Sequence, residues 1–394
     1  MAEAGSGPPD YDVIVIGAGI HGAGVAQAAA AAGYSVLVLE QYERPALGTS
    51  CKSSKLIHGG LRYLETGQFH LVRECLRERE LLLRIAPHLV KLARFHIPVY
   101  SYTSRRRWKI GIGLGLYSLF SRRTFQRVPK RQWSKLDGLC TEGLDAVFSY
   151  YDAQTDDARL TRAVLASAQS LGVDVVFGAV VENVNCMSND VQLAYCSAGQ
   201  LQQVRARVLV NAAGPWVNRV LEHVEPAPVM PDIELVQGTH IVLPHAISRP
   251  YYLEAPRDRR AVFVTPWRDH VLVGTTESRY VGDPANVAPL QSEIDYLLEI
   301  YNYYFERTLT PADVIEAFAG LRVLPGGVGP AFGKSRDTHI YTHPEHNPVA
   351  FSIYGGKLTS YRATSAALLD RLRGVLPRRS AVADTAKLAL PVLD

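Results

Sequence analysis

An α/β fold that opens on a parallel sheet covered on both faces is what this sequence predicts, and three observations carry the prediction. The first forty residues run strand, glycine-rich turn, helix, strand, and the second strand closes on an acid. Small-residue motifs return later in the chain, NAAGPW after a β-rich run at 207–210 and a Gly-Gly pair at 355–356. The chain has 394 residues, 47% hydrophobic and 20% charged, enough to bury a large core and in keeping with two intimately connected domains.

Each element of the opening has a local cause. Tyr11–Ile16, YDVIVI, is a short apolar run suited to a strand buried on both faces. Gly17, Gly19 and Gly22 then stand in G-x-G-x-x-G spacing. Gly17 allows the tight turn, Gly19 lets the backbone approach a pyrophosphate, and Gly22 lets the helix pack close to the strand. Residues 25–32 predict helix, Gly33 ends it, and SVLVLE (35–40) predicts the second strand. The helix N-terminus carries partial positive charge, and Glu40, about 20 residues beyond the glycines, can accept hydrogen bonds from a ribose. This order of parts points to an adenine dinucleotide, with NAD and FAD both open at this point. His21 inside the turn takes no role; capping and solvent exposure are both open to it.

The stretch KSSKLIHGGLRYLE (52–65) holds two Lys, a His, an Arg and a Tyr around a Gly-Gly pair, and few apolar residues. It lies just after the second strand, where a flavin enzyme would wrap the ring end of FAD. In NAAGPW (211–216) a strand ends in small residues that can pass against a bound dinucleotide. In SIYGGKLTSYR (352–362) Gly355-Gly356 open a predicted helix over 358–372, whose N–H groups could face a flavin ring and stabilise negative charge on it. Taken together these segments favour FAD over NAD.

GAGIHGAG, SSKLIHGGLRYLE, DDARL (156–160), NAAGPW, GTHIVLP (238–244), FVTPW (263–267), GTTE (274–277), AGLRVLP (319–325) and YGGKLTSYR stand in one order along nearly the whole chain. In these motifs the sequence resembles the FAD-dependent glycerol-3-phosphate dehydrogenases, within the D-amino-acid-oxidase-like flavoproteins. The resemblance implies a Rossmann-like FAD-binding domain of glutathione-reductase type with a discontinuous α+β substrate domain. It implies tight noncovalent FAD, oxidation of sn-glycerol 3-phosphate to dihydroxyacetone phosphate by hydride transfer from C2 to flavin N5, and a quinone as electron acceptor. A glycerol-3-phosphate oxidase using O2, an amine or amino-acid oxidase, and a non-catalytic flavoprotein are the rival readings.

That chemistry needs cations for a phosphate dianion, a base for the C2 hydroxyl, and donors near the flavin. Arg suits the phosphate because its planar fork binds oxygens in a bidentate way. Arg322 and Arg336 match the family's substrate-facing positions, and Arg62 and Tyr63 match pocket residues. An interior salt bridge is the alternative for Arg322, and a solvated polar loop for Arg336. His240, with an ordinary pKa near working pH, is the expected base, projecting from a strand start; a satisfied core histidine is its alternative. Lys357 is expected to bring an ammonium to the flavin or substrate, with ordinary helix-start solvation as the alternative. For the cofactor the expectation is Gly17, Gly19, Gly22, Glu40, Ser53, Ser54, His58, Gly59, Gly214, Gly355 and Gly356. No metal is expected, since the five Cys form no ligand spacing; their odd, scattered placement suggests reduced thiols.

Residues 69–90 predict a helix that Pro87 ends or kinks. Residues 105–123 set an apolar dozen with Trp108 and Tyr117 between basic clusters, too short to span a bilayer. It suits either an anionic membrane surface or a buried helix with basic ends. The expected FAD domain uses 1–80, 150–225 and 325–394, and the substrate domain 81–149 and 226–324, with a mixed or antiparallel sheet. The helical domain that usually follows in the family has no counterpart in these residues, and catalysis is expected without it. MAEAGSGPPD lacks the regions of a signal peptide. With a net charge of +4 no nucleic-acid partner is expected. A cytoplasmic location, peripheral on the inner membrane face, and a homodimer complete the expectations.

Overall fold

The computed structural model describes residues 8–64, 67–327, 338–344 and 349–393. The first third holds β1 (Tyr11–Ile16), α1 (Ile20–Ala31), β2 (Val36–Glu40), β3 (Leu56–Ile57), α2 (Phe69–Ile85), β4 (Val90–Tyr100), α3 (Arg107–Ser121) and β5 (Gln126–Arg127). There follow β6 (Leu144–Thr155), α4 (Asp157–Ser170), β7 (Asp174–Phe177), β8 (Val180–Cys186), β9 (Val191–Ser197), β10 (Gln200–Asn211), α5 (Val217–Leu221) and β11 (Val224–Glu225). The last part holds β12 (Ile233–Leu243), β13 (Tyr251–Glu254), β14 (Ala261–Trp267), β15 (His270–Gly274), β16 (Ser278–Tyr280), α6 (Gln291–Tyr304), β17 (Glu316–Pro325), β18 (His339–His343), β19 (Ala350–Tyr354) and α7 (Tyr361–Leu372).

The first sheet has a parallel centre, β19-β10-β1-β2-β7. β10 is long enough to serve twice. Its first half pairs antiparallel with β9, and its second half runs parallel to β1 and β19. One face is covered by α1, α4 and α7, with Val13, Val15, Val36 and Val38 in that core. The other face packs Ile14, Leu37, Leu39 and Leu209 against β8, β9 and α5. Burial on both faces is why Val13–Ile16 of β1 and Val36–Leu39 of β2 are continuously apolar rather than alternating. Every residue of α1 except His21 is buried, which makes it an interior helix apolar all round. It begins at Ile20, five residues before the predicted start, because its Gly- and Ala-rich first turn lets β10 and α7 approach closely: a Cβ on Gly24 would lie 2.7 Å from Ser365 Oγ.

The second sheet is mixed, in the order β16-β12-β15-β14-β13-β4-β6-β3, with β17 on β12 and β5 on β6. All its pairings are antiparallel except β4 with β13. THIVLP, AVFVTPW and HVLVGTT fall in β12, β14 and β15, as the sheet expectation required. Helix α6 covers one part of it, and α2 with α3 another. α2 stops at Ile85, before Pro87.

α3 is neither fully buried nor fully wet. Leu114 and Tyr117 seat it in the core, while Trp108, Ile112 and Leu119 are 59%, 66% and 76% exposed. At i, i+4 and i+11 these three share one helix face. Among the described residues no helix is long and apolar enough to cross a membrane.

Candidate active site

β1 ends at Ile16, and Gly17 turns the chain with φ +98°, a conformation glycine adopts without strain. A Cβ on Gly17 would sit 2.8 Å from the Ala212 carbonyl oxygen, and one on Gly22 would sit 1.8 Å from the Gly17 carbonyl oxygen. Gly22 therefore sets the helix against the strand, as its spacing predicts, and does not itself line the cavity beyond. The Ala18 N–H donates to Glu40 Oε2 at 2.5 Å and the Tyr42 N–H to Oε1 at 3.1 Å. Burial pushes the Glu40 carboxyl up against the lowering effect of those bonds. The Ile20 N–H donates to Ser50 Oγ at 2.9 Å, so the segment after β2 is tied to the start of α1.

From this turn a cavity of about 610 Å3 runs to the larger sheet. Gly17, Gly19, Glu40, Gly214 and Trp216 line one end, and His240, Arg322 and Lys357 the other. The first end fits a dinucleotide: side-chain-free backbone at the turn, a helix N-terminus beside it, and a buried carboxylate at the end of β2.

The far end is built on two adjacent strands. His240 on β12 lies opposite Phe318 on β17, Gly238 opposite Gly320, and Val236 opposite Arg322. Alternation puts these six side-chain positions on one face. The two glycines leave a trough between the imidazole and the guanidinium. A Cβ on Gly238 would lie 2.8 Å from Arg322 Nη2, and one on Gly320 would lie 2.7 Å from Lys52 Cβ. Arg322 donates from Nη2 to Thr275 Oγ1 at 3.3 Å and lies 3.6 Å from Glu277 Oε1, with 26% of its side chain open to the cavity. It thus combines the long ion pair of the structural alternative with the exposure binding requires. Glu277 also holds Arg260 at 3.1 Å.

His240 sits inside β12, not at a strand start as expected. It is 2% exposed, its ring is stacked on Phe318 with centroids 5.1 Å apart and planes at 17°, and Nε2 lies 2.8 Å from Ser54 Oγ. Burial, then the Arg322 and Lys55 cations, hold its pKa well below the usual histidine value. The imidazole is therefore neutral at ordinary pH, the form a base requires. Behind it, Glu293 accepts from Gln237 Nε2, Thr239 Oγ1, Thr276 Oγ1 and Ser278 Oγ at 2.6 to 2.8 Å. Burial acts to raise the Glu293 carboxyl, and these donors bring it below its ordinary value.

The loop over 49–55 covers the trough. Thr49 Oγ1 donates to the Leu321 carbonyl at 2.9 Å. Ser53 donates to Asp157 Oδ2 from its N–H at 2.9 Å and from its hydroxyl at 2.6 Å. Lys55 Nζ donates to Asp157 Oδ1 and to the Cys51 carbonyl, both at 2.6 Å, and lies over the Phe318 and Trp267 rings at 5.2 and 5.4 Å. Ser53 and Ser54 line the cavity, but their hydroxyls are committed to Asp157 and His240 rather than free for a cofactor. His58 also lines it. Gly59 does not. Its N–H donates to Asp152 Oδ1 at 2.9 Å, and a Cβ there would meet Tyr117 and Leu76 at 2.2 and 2.3 Å, so its role is packing. This corrects the expectation of a cofactor contact.

Lys357 Nζ stands 4.1 Å from the centroid of the buried Tyr63 ring, a cation–π contact at the cavity wall. Gly355 and Gly356 line the wall with φ +74° and +98°, but α7 begins at Tyr361, so the pair makes a turn ahead of the helix instead of its first residues. His21 is half-buried on the same wall, against Gly356, and burial lowers its pKa to about 4. Arg336 and the side chain of Arg62 lie outside the described residues.

Lys55, Asp157, Glu277, Arg260 and Glu293 carried no assigned role in the sequence reading. Lys55, Asp157 and Glu277 stand inside quoted motifs, the only signal available for them; Arg260 and Glu293 had none.

Comparison with known proteins agrees with this geometry. The model of the family described as FAD dependent oxidoreductase matches residues 12–362. The chain is 39% identical to a glycerol-3-phosphate dehydrogenase of Pseudomonas aeruginosa, over 97% of this chain and 75% of that protein. It is 39% identical to the aerobic glycerol-3-phosphate dehydrogenase of Escherichia coli K12, over 92% of this chain and 73% of that protein. It is 36% identical to a D-erythritol 1-phosphate dehydrogenase of Brucella abortus, over 94% and 75%. The structure of glycerol-3-phosphate dehydrogenase from Bacillus halodurans complexed with FAD superposes with a TM-score of 0.78 at 26% identity, covering 96% of this chain and 67% of that one. With the family model matched over most of its length, this chain belongs to the FAD dependent oxidoreductases.

Proposed function

We propose that this chain is an FAD-dependent glycerol-3-phosphate dehydrogenase, oxidising sn-glycerol 3-phosphate to dihydroxyacetone phosphate and passing electrons to a quinone. The observation that carries the reading is one cavity with a dinucleotide wall at one end and a neutral histidine, an arginine and a lysine at the other. The names of the relatives from Pseudomonas aeruginosa and Escherichia coli support it. Bound along that wall, FAD supplies a two-electron acceptor for the hydrogen on C2. Gly17, Gly19, Glu40, Gly214, Gly355 and Gly356 hold it. Arg322, with Arg62, Tyr63 and Arg336, holds the phosphate and orients C2. His240 takes the proton of the C2 hydroxyl, and Lys357 provides positive charge for the oxygen as it develops charge. The division into an FAD domain (1–80, 150–225, 325–394) and a substrate domain (81–149, 226–324) is part of the proposal, supported by sheet membership of β1, β2 and β7 to β11 against β4 and β12 to β17.

The test is an anaerobic titration of the purified yellow protein with glycerol 3-phosphate, following the visible band of oxidised flavin. Glycerol and the Arg322→Ala variant run beside it. Bleaching by the ester alone, with affinity down ~100-fold in the variant, is expected; an Arg–phosphate contact of ~2–3 kcal/mol converts to that factor. No bleaching in protein that holds FAD overturns the substrate. The 36% identity to a D-erythritol 1-phosphate dehydrogenase favours one second reading, a longer polyol phosphate. Erythritol 1-phosphate as a third titrant separates the two. Hydrogen peroxide produced per turnover, against reduction of a soluble quinone, separates the acceptors.

A further inference from the structure

We propose that Ser54, not His240, is the residue that meets the substrate hydroxyl: its Oγ relays the C2 hydroxyl proton to Nε2 of His240. The inference rests on the reading above, in which His240 is the base for a polyol phosphate.

The imidazole borders the cavity but offers it very little surface. Phe318 covers one face of the ring. The Gly274 backbone closes the edge at Cδ2, where a Cβ would stand 2.0 Å away. Nδ1 is buried without a hydrogen-bond partner among the described residues, and the residue as a whole is 2% exposed. Nε2 is the remaining nitrogen, and Ser54 Oγ lies 2.8 Å from it. Ser54 itself is half-buried and lines the cavity. The hydroxyl therefore stands between the buried base and the space the substrate enters. With hydrogen on Nδ1, Ser54 donates to Nε2 and leaves its own oxygen lone pairs for an incoming O–H.

The residues on either side hold it there. Ser53 is bonded twice to Asp157, and Lys55 is bonded to Asp157 and to the Cys51 carbonyl. Lys55 adopts φ +60°, a left-handed conformation uncommon for a residue other than glycine. Three consecutive residues are thus pinned, and the middle one carries the hydroxyl. The charged groups facing the imidazole are Lys55 and Arg322, with Lys52 over the Phe318 ring at 5.4 Å. All are cations, so an imidazolium formed here is disfavoured and gives up its proton readily.

The step balances. The substrate O–H bond breaks as its proton passes to Ser54 Oγ, and the Ser54 proton passes to Nε2. The C2–H pair leaves as hydride to the bound flavin, and C2–O becomes the carbonyl. One ketone and one imidazolium result, and the imidazolium proton goes to solvent.

The experiment compares Ser54→Ala, Ser54→Thr and His240→Gln with the wild type in the full chain. It measures bound FAD by absorbance, the rate of flavin reduction by glycerol 3-phosphate, and the dependence of that rate on the deuterium fraction of the solvent. Ser54→Ala is expected to keep its FAD and its affinity for the ester while reduction slows ~10²- to 10³-fold, the lower part of the range for one general-base contact. Ser54→Thr, which keeps the hydroxyl, is expected within ~5-fold of wild type. The wild-type rate is expected to curve with deuterium fraction, as two protons in flight require. A Ser54→Ala rate within ~3-fold of wild type, or a linear dependence in the wild type, overturns the relay. The foundation fails separately: wild-type flavin that no polyol phosphate reduces removes the substrate reading, and an unimpaired His240→Gln removes the base, and either result takes the relay with it.

Discussion

Replacing Asp157 by Asn leaves the Lys55 ammonium in place and removes the charge that balances it. The pair is 2.6 Å apart, with side chains 7% and 0% exposed, so water does little to screen what remains. Breaking a buried pair of this kind costs about 3–5 kcal/mol, because the surviving charge stays buried. Two contacts soften the loss. Asn still accepts from Ser53, and Lys55 keeps the Cys51 carbonyl at 2.6 Å. The lower end, ~3 kcal/mol, is therefore expected, a large part of the 5–15 kcal/mol that holds a typical domain. An exposed pair provides the contrast. Arg373–Asp370, with 52% and 73% of the side chains exposed, should cost less than ~0.5 kcal/mol when Asp370 becomes Asn. Denaturant unfolding of the FAD-loaded protein at neutral pH, followed by both flavin and far-ultraviolet signals, gives both numbers. A loss below ~1 kcal/mol for Asp157→Asn, or equal losses at the two sites, would refute the argument that burial makes this pair matter.

Other expectations follow from the same structure. Gly22→Ala drives a methyl group to 1.8 Å from the Gly17 carbonyl, a backbone atom with no slack, and should abolish tight FAD retention on gel filtration while the apoprotein stays folded. Gly274→Ala places Cβ 2.0 Å from His240 Cδ2 and should slow flavin reduction far more than it weakens FAD binding; equal losses in both would contradict the assignment. His96 is buried beside Tyr251 with its pKa lowered to about 4, by burial first and then by Arg249 and Arg94. Above pH 6.5 it is neutral in both states; as pH falls toward 4 the unfolded chain binds a proton the folded one does not, so stability is lost by about 1.4 kcal/mol per unit, ~3 kcal/mol in all. His96→Gln should flatten the stability profile over that window. The exposed Trp108, Ile112 and Leu119 face of α3 lies beside a run of arginines and is proposed to rest on an anionic membrane surface. Leu119→Asp should reduce co-sedimentation with phosphatidylglycerol vesicles, and equal binding to phosphatidylcholine vesicles would count against it.

Much of this protein was legible from its residues alone, and the legible parts share a cause. β1, the turn with Gly17 and Gly22, and Glu40 at the end of β2 follow one another within about thirty residues and carry their signal in periodicity and glycine spacing, although β10 and Ala212 complete their packing. The family motifs placed His240, Arg322 and Lys357 as candidates, and all three face one cavity. Three things lay beyond reach. Gly59 looked like a cofactor glycine because a Gly-Gly pair looks the same whether a ligand or Tyr117 lies against it. α7 starts at Tyr361 because Gly355 and Gly356 take positive φ, which spacing does not reveal. The setting of the base is the deepest case. His240 meets Ser54 across 186 residues, and Lys55 meets Asp157 across 102. Sequence supplies the donors and acceptors at each position, but which hydroxyl is spent on which partner is decided only when β12, β17 and the loop over 49–55 pack together and exclude the water that would otherwise satisfy them all.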